Sequence, residues 1–239
     1  MDYEFISNNS DQTLIFLHGW GGDKRSFFLV KDRIKNLNLL FVSFPGFGLS
    51  HKLDRPYNLD DYANELKCLL DKLKINNKLN IICHSFGARV AAVFYKEYPQ
   101  LVNKIMIVDG AGLKPKRSFK YYYKVWKYKK LKNKVQRGKL EPEILLNYGS
   151  EDYKKLNKIM KQTFVNVVNQ DLKREFKNIK CETLLFWGEL DKETPIYMAK
   201  RLKKLIKKSK MYVVKGGGHF SYLDDSDAFI YNLYNFFFN

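Results

Sequence analysis

Seven short apolar runs recur along this chain, at residues 3–6, 13–17, 39–43, 79–83, 104–108, 183–187 and 210–214. Most are continuous rather than alternating, as in Leu14-Ile15-Phe16-Leu17 and Ile105-Met106-Ile107-Val108. A strand with one wet face alternates apolar and polar residues, whereas an unbroken run suits a strand covered on both faces. Amphipathic stretches separate the runs. One opens with Asn58 as N-cap, carries Asp60 and Asp61 in its first turn and extends to about Lys74. Others run from Gly87 to about Tyr98, just before Pro99, from Pro195 to Lys208 and from Asp225 to Phe238. This alternation predicts an α/β fold, a mostly parallel central sheet flanked by helices.

The rhythm breaks between residues 114 and 180, where buried-strand runs are missing. Phe119, Tyr122, Tyr123 and Trp126 repeat there at helical spacing, with lysines between them. The stretch is expected to be a helical cap (114–180) inserted into an α/β core built from residues 1–113 and 181–239. The aromatic stripe is expected to pack on that core, with Tyr122 and Trp126 lining a substrate pocket.

Length and composition narrow the classes. The chain has 239 residues and 45% hydrophobic residues, enough for one α/β domain with a sizeable core. No apolar run approaches the ~20 residues that span a bilayer. The start, Met1-Asp2-Tyr3-Glu4, is acidic and lacks the apolar region of a signal peptide, so none is expected. Cys68, Cys83 and Cys181 are odd in number, far apart and among apolar neighbours, so reduced, buried thiols in a cytoplasmic protein are expected. Nothing has metal-ligand spacing, and neither metal nor cofactor is expected.

The formal net charge is +18. It comes from 35 lysines and eight arginines, and phosphate recognition favours the bidentate arginine fork, so nucleic acid is a disfavoured partner. Residues 114–180 hold 17 lysines and three arginines against six acids, most of the excess. A basic cap suits an acidic substrate or an acidic acyl-carrier protein, and basic helices with aromatic residues also suit anionic lipid surfaces.

Candidate chemistry begins at Cys83-His84-Ser85-Phe86-Gly87, a serine between a strand run and a helix run of small residues. That is the layout of a nucleophile elbow, which exposes the hydroxyl to a base and points the next N–H, that of Phe86, at a developing oxyanion. Four strand ends carry possible partners. His18-Gly19-Trp20-Gly21-Gly22 follows the second run, and the Trp20 N–H is assigned as the second oxyanion donor. Phe44-Pro45-Gly46-Phe47-Gly48-Leu49-Ser50 follows the third and offers Phe47 to the pocket, beside Trp20 and Phe86. Trp187-Gly188-Glu189-Leu190-Asp191 supplies Asp191 as the orienting acid, with Asp109 and Glu189 as rivals. Gly216-Gly217-Gly218-His219-Phe220 supplies His219 as general base. His84 is the competing base, but a neighbour of the nucleophile at such a turn is expected to point away from it.

In these motifs, and in the order Ser85, Asp191, His219, the chain resembles the α/β-hydrolase superfamily along essentially its whole length. The resemblance implies Pro45-Gly46-Phe47-Gly48-Leu49-Ser50 as the family's P-G-x-G-x-S loop. Two positions depart from the common pattern. Cys83 stands at the elbow's first glycine, where a small residue is expected to be accommodated, and Ser43 stands where many relatives carry an acid. Dehalogenases and epoxide hydrolases of the superfamily use an aspartate at the elbow. A serine there implies acyl transfer to water, and hence a serine hydrolase acting on a small to medium carboxylic ester. The resemblance also admits a thioesterase, a lysophospholipase, a C–C bond hydrolase, a small aminopeptidase, a cofactor-free haloperoxidase or a ligand-binding receptor without catalysis.

Overall fold

The computed structural model describes residues 1–116, 119–141, 144 and 151–238. Its strands are β1 (Asp2–Ile6), β2 (Thr13–Leu17), β3 (Asn38–Ser43), β4 (Leu79–His84), β5 (Val102–Val108), β6 (Glu182–Gly188) and β7 (Ser209–Val214). They form a seven-stranded sheet in the order β1-β3-β2-β4-β5-β6-β7. β1 is antiparallel to β3, and all the other pairs are parallel. Parallel neighbours cannot be joined by a tight turn, so each crossover passes over a face of the sheet. α1 (Leu59–Lys72) joins β3 to β4, α2 (Phe86–Glu97) joins β4 to β5, and α7 (Tyr197–Leu205) joins β6 to β7.

The continuous apolar runs follow from this covering of both faces. Ile15, Leu17, Ile81, Cys83, Ile107, Leu185 and Trp187 point to the side of α1, α2 and α7. Their neighbours Leu14, Phe16, Ile82, Met106, Leu184 and Phe186 point to the other side, against Phe27 and the helix Ser226–Phe238. The edge strands β1 and β7 are only partly buried, which is why their sequences are mixed.

Local chemistry sets the helix ends. The Asn58 side chain accepts the Asp61 N–H at 2.9 Å, and the Asp61 carboxylate accepts the Asn58 N–H at 2.8 Å. Such a reciprocal cap is worth about 1 kcal/mol. α7 stops short of the expected Lys208. The Ser209 hydroxyl donates to the carbonyls of Ile206 and Lys203, and Ile206 is extended, so the chain turns early into β7. Cys68 corrects the expectation of buried thiols. It sits on the exposed face of α1, out of phase with the buried Leu66, Leu69 and Leu70.

Between β5 and β6 lie α3 (Phe119–Gln136), α4 (Glu151–Lys155), α5 (Lys158–Asn169) and α6 (Lys173–Asn178). They do not act as one block. α5 and α6 enter the main core through Met160, Val167, Leu172 and Phe176. The buried Arg89 of α2 donates to the carbonyls of Val167 (2.9 Å) and Gln170 (3.0 Å) at the end of α5. Those orphan C-terminal carbonyls gain a charged donor, and the guanidinium gains acceptors inside the protein. The stripe on α3 behaves differently. Phe119, Tyr122, Tyr123 and Trp126 are exposed, against the expectation that they pack on the core. Helical spacing shows that side chains share a face, but a helix with apolar residues on two sides leaves open which side is covered.

α2 is buried along nearly its whole length, so its contact with β2 is close. A Cβ on Gly87 would lie 2.3 Å from the Leu17 carbonyl oxygen and 3.0 Å from that of His18. Neither backbone group can move without breaking the sheet. Gly87→Ala is expected to lower unfolding stability by about 3 kcal/mol or more. The midpoint of urea unfolding checks this, and an unchanged midpoint refutes the contact.

Candidate active site

Ser85 follows the last residue of β4 with φ 47° and ψ −108°, a conformation side chains rarely adopt. Such strain costs about 1–3 kcal/mol and persists where the surroundings over-determine it. Here the Ser85 N–H donates to the Val108 carbonyl at 3.1 Å. The Ser85 carbonyl accepts the N–H groups of Ala111 at 3.0 Å and Ala88 at 3.1 Å. β4, β5 and α2 thus clamp one residue, and its side chain leaves the turn outward.

The outward hydroxyl meets His219. Ser85 Oγ lies 2.9 Å from His219 Nε2, and His219 Nδ1 lies 2.9 Å from Asp191 Oδ2. A carboxylate can only accept, so Nδ1 carries the proton and Nε2 is free to accept the serine O–H. Asp191 is held in turn. Its Oδ1 accepts the N–H groups of Glu193 (2.8 Å) and Thr194 (2.9 Å), and its Oδ2 accepts the Thr194 hydroxyl at 2.6 Å. Burial pushes the Asp191 carboxyl up, but the hydrogen bonds from His219 and Thr194 outweigh it and hold the carboxyl below its ordinary value. For His219, burial acts downward, and the bond to Asp191 with its charge wins, leaving the imidazole above its ordinary value.

The loop carrying His219 crosses the end of β6 at van der Waals range. A Cβ on Gly188 would sit 2.0 Å from the Gly218 carbonyl oxygen. Glu189, a rival acid in the sequence, instead accepts the Gly216 N–H at 3.1 Å and secures this loop. His84 does the same from below. Its Nε2 lies 2.7 Å from the His219 carbonyl, so Nε2 carries the proton and donates it. Burial lowers the His84 pKa to about 3, so the ring is neutral and is committed to the loop rather than to Ser85. His18 is likewise structural. Burial lowers its pKa to about 4; its Nδ1 donates to the Gly19 carbonyl, and its Nε2 accepts the Phe44 N–H at 2.9 Å. The β2 and β3 loops are thereby pinned together.

The two departures from the family pattern are absorbed locally. Cys83 is fully buried, with its thiol 3.5 Å from the Met106 carbonyl, and the elbow keeps its geometry. Ser43 accepts the Lys24 N–H and donates to Asp2 Oδ2, and Asp2 pairs with the Lys24 ammonium at 2.8 Å. A carboxylate from β1 therefore stands beside Ser43.

Trp20 packs edge-on against Phe47 (4.9 Å between ring centres) and Phe86 (5.4 Å). This brings the two expected oxyanion segments side by side, with Phe86 at the first turn of α2, where N–H groups have no partner in their own helix. Phe47 and Phe86 are themselves buried, and Phe86 also packs on Phe44 and Tyr62. Tyr122 and Trp126, expected to line the pocket, are exposed on α3. The wall opposite Trp20 comes from α5. Phe164 packs on Trp20 at 5.1 Å, and Met160 abuts Gly46. Neither is among the pocket residues expected from the sequence, although Met160, Thr163, Phe164 and Val167 follow one helical stripe.

Asp109, the other rival acid, is fully buried at φ 45°. Its Oδ1 accepts the Gly188 N–H at 2.8 Å, and its Oδ2 accepts the N–H and hydroxyl of Ser221 at 3.0 and 2.6 Å. It ties the ends of β5 and β6 to the segment just after His219. Burial raises its pKa to about 7 despite these bonds. Among the described residues no group of three or more His, Cys, Asp or Glu is placed to hold a metal ion.

Comparison with known proteins agrees with the fold. The family model described as the alpha/beta hydrolase fold matches residues 12–134 and 120–226. Lipase 1 of Psychrobacter immobilis is 22% identical over 249 residues, covering 92% of this chain and 74% of the lipase. The 2-hydroxy-6-oxononadienedioate/2-hydroxy-6-oxononatrienedioate hydrolase of Escherichia coli is 23% identical over 256 residues, covering 95% of this chain and 87% of that protein. The solved structure of an esterase from Exiguobacterium antarcticum superposes with a TM-score of 0.76 at 20% identity, covering 98% of this chain and 93% of that one.

Asp109 yields a pH test. Its folded-state pKa of about 7 lies above the ordinary value of 3.8, so the folded state holds the proton more tightly. The stabilisation is complete below the unfolded value and is lost as pH rises through the folded one. The stability advantage of wild type over Asp109→Asn is expected to shrink from pH 4 to pH 7, with a slope of at most about 1.4 kcal/mol per pH unit. Urea unfolding of both proteins across that range measures it, and parallel profiles refute it.

Proposed function

Because this chain belongs to the α/β-hydrolase fold family, we propose that it is a serine hydrolase cleaving small to medium carboxylic esters through an acyl-Ser85 intermediate. The observation that carries the reading is the hydrogen-bonded chain from Ser85 Oγ through His219 to Asp191. In this reading His219 Nε2 takes the hydroxyl proton as Ser85 attacks the ester carbonyl. Asp191 stabilises the imidazolium that forms without taking its proton. The backbone N–H groups of Trp20 and Phe86 receive the oxyanion, each worth about 10²–10³ in rate. His219 then passes the proton to the leaving alcohol, and afterwards activates the water that releases the acid. The apolar wall of Trp20, Phe47, Phe86 and Phe164 supports an acyl group as the part of the substrate that is bound.

A p-nitrophenyl ester series from acetate to palmitate, together with a fluorophosphonate probe, tests the reading. Wild type is expected to turn over the shorter esters best and to label covalently. Ser85→Ala is expected to lose labelling and to retain at most the ~10³–10⁴-fold acceleration that binding and oxyanion contacts can supply. A wild-type chain that does not label, or a Ser85→Ala chain that labels equally, overturns the assignment.

The raised His219 gives a second test. Only the neutral imidazole accepts the serine proton, so kcat/KM is expected to fall as pH drops through the pKa of His219. The midpoint should lie above the ordinary 6.5, because Asp191 favours the charged ring. Asp191→Asn is expected to cut kcat by about 10⁴. A pH–rate profile without an acidic limb refutes His219 as the base.

A further inference from the structure

Helix α3 has apolar residues on two opposite sides. Val125, Tyr128, Leu131 and Val135 recur at helical spacing and are partly buried. Phe119, Tyr122, Tyr123 and Trp126 lie on the other side and are 94%, 60%, 62% and 55% exposed. The outward rings sit among cations. The Lys130 ammonium lies 5.1 Å from the centre of the Trp126 ring, and the Tyr123 and Trp126 rings stack at 5.9 Å. The 18 residues of α3 include seven lysines and no acid. Beyond Trp126 the surface continues as a shallow basic depression lined by Lys130, Asn133, Lys134, Arg137 and Lys139.

Charge alone would serve an acidic protein or a nucleic acid, and neither requires large rings held out in water. Single-strand platforms stack successive bases on rings along a groove, whereas the rings here stand out from one exposed helix. An anionic bilayer accounts for both halves of the pattern. Aromatic rings settle at headgroup depth, and lysine stems lie along the apolar boundary with their ammonium groups among the phosphates. Among the described residues no helix is long and apolar enough to cross a membrane, so such contact is with the surface.

We propose that the outward face of α3 docks this protein on an anionic lipid bilayer, with Phe119, Tyr123 and Trp126 at headgroup level and Lys127, Lys130 and Lys134 against the lipid phosphates. Co-sedimentation of the full chain with vesicles tests it, using phosphatidylcholine alone or with roughly one third phosphatidylglycerol. The anionic vesicles are expected to retain the protein and the neutral ones to leave it in solution. Tryptophan emission should shift to the blue on binding, and the shift should be absent from Trp126→Phe, because Trp187 is fully buried and Trp20 packs within the core loops. Lys127→Glu, Lys130→Glu and Lys134→Glu together should weaken partitioning by about two orders of magnitude or more. Phe119→Ser with Trp126→Ser should weaken it about tenfold or more, with circular dichroism and thermal midpoint unchanged because both side chains are exposed. The readout needs no catalysis, so it is decided separately from the ester-hydrolase reading. Three results overturn the proposal: no retention on anionic vesicles, retention that survives the loss of both rings, as an acidic protein surface would give, or tighter lysine-dependent binding to a nucleic-acid oligomer than to vesicles.

Discussion

Parallel strand pairing is the constraint on which the site depends. Each parallel crossover returns the chain to the same edge of the sheet, so successive strands end side by side. The register Cys83↔Ile107, Ile107↔Leu185 and Trp187↔Val213 keeps those ends level. Ser85, Asp109, Asp191 and His219 each follow a different strand, and all emerge on that edge. The hydrogen bond between His18 and Phe44 shows the same alignment on the other side of β4. Residues 134 positions apart can thus share a hydrogen bond without any long-range recognition beyond the sheet itself.

Strain and its compensation lie at the same edge. Ser85 and Asp109 both adopt positive φ at neighbouring strand ends, and the Ser85 N–H donates to Val108, the last residue of β5 before Asp109. The buried Asp109 carboxyl then joins β6 to the segment following His219. Three histidines converge here, and their surroundings divide the labour. Burial keeps His18 and His84 neutral, as rigid links between loops. His219 faces a carboxylate that outweighs burial, and its imidazole stays above its ordinary value.

The segment between β5 and β6 divides along similar physical lines. α5 and α6 turn apolar stripes onto the sheet side, and Arg89 of the elbow helix holds the end of α5. Trp20 therefore faces Phe164 of α5. α3 carries the partly buried Val125, Tyr128, Leu131 and Val135 on one side, and Phe119, Tyr122, Tyr123 and Trp126 are exposed on the other.

Strand runs, helix starts and the order of the motifs were legible in the sequence because each is local. A continuous run such as Leu14–Leu17 marks a strand covered twice, Asn58 caps its own helix, and Ser85, Asp191 and His219 each announce a strand end. Asp109 and Asp191 both follow strands and both lie between Ser85 and His219, and the structure separates them by contact: Asp191 reaches His219, and Asp109 reaches Gly188 and Ser221. Other features were beyond any local reading. The aromatic stripe of α3 and the apolar stripe of α5 look alike as sequence, and the exposed Cys68 looks like the buried Cys83. Periodicity records which side chains share a face, a property of one segment. Which face is covered depends on what other segments place against it, and only tertiary packing decided that.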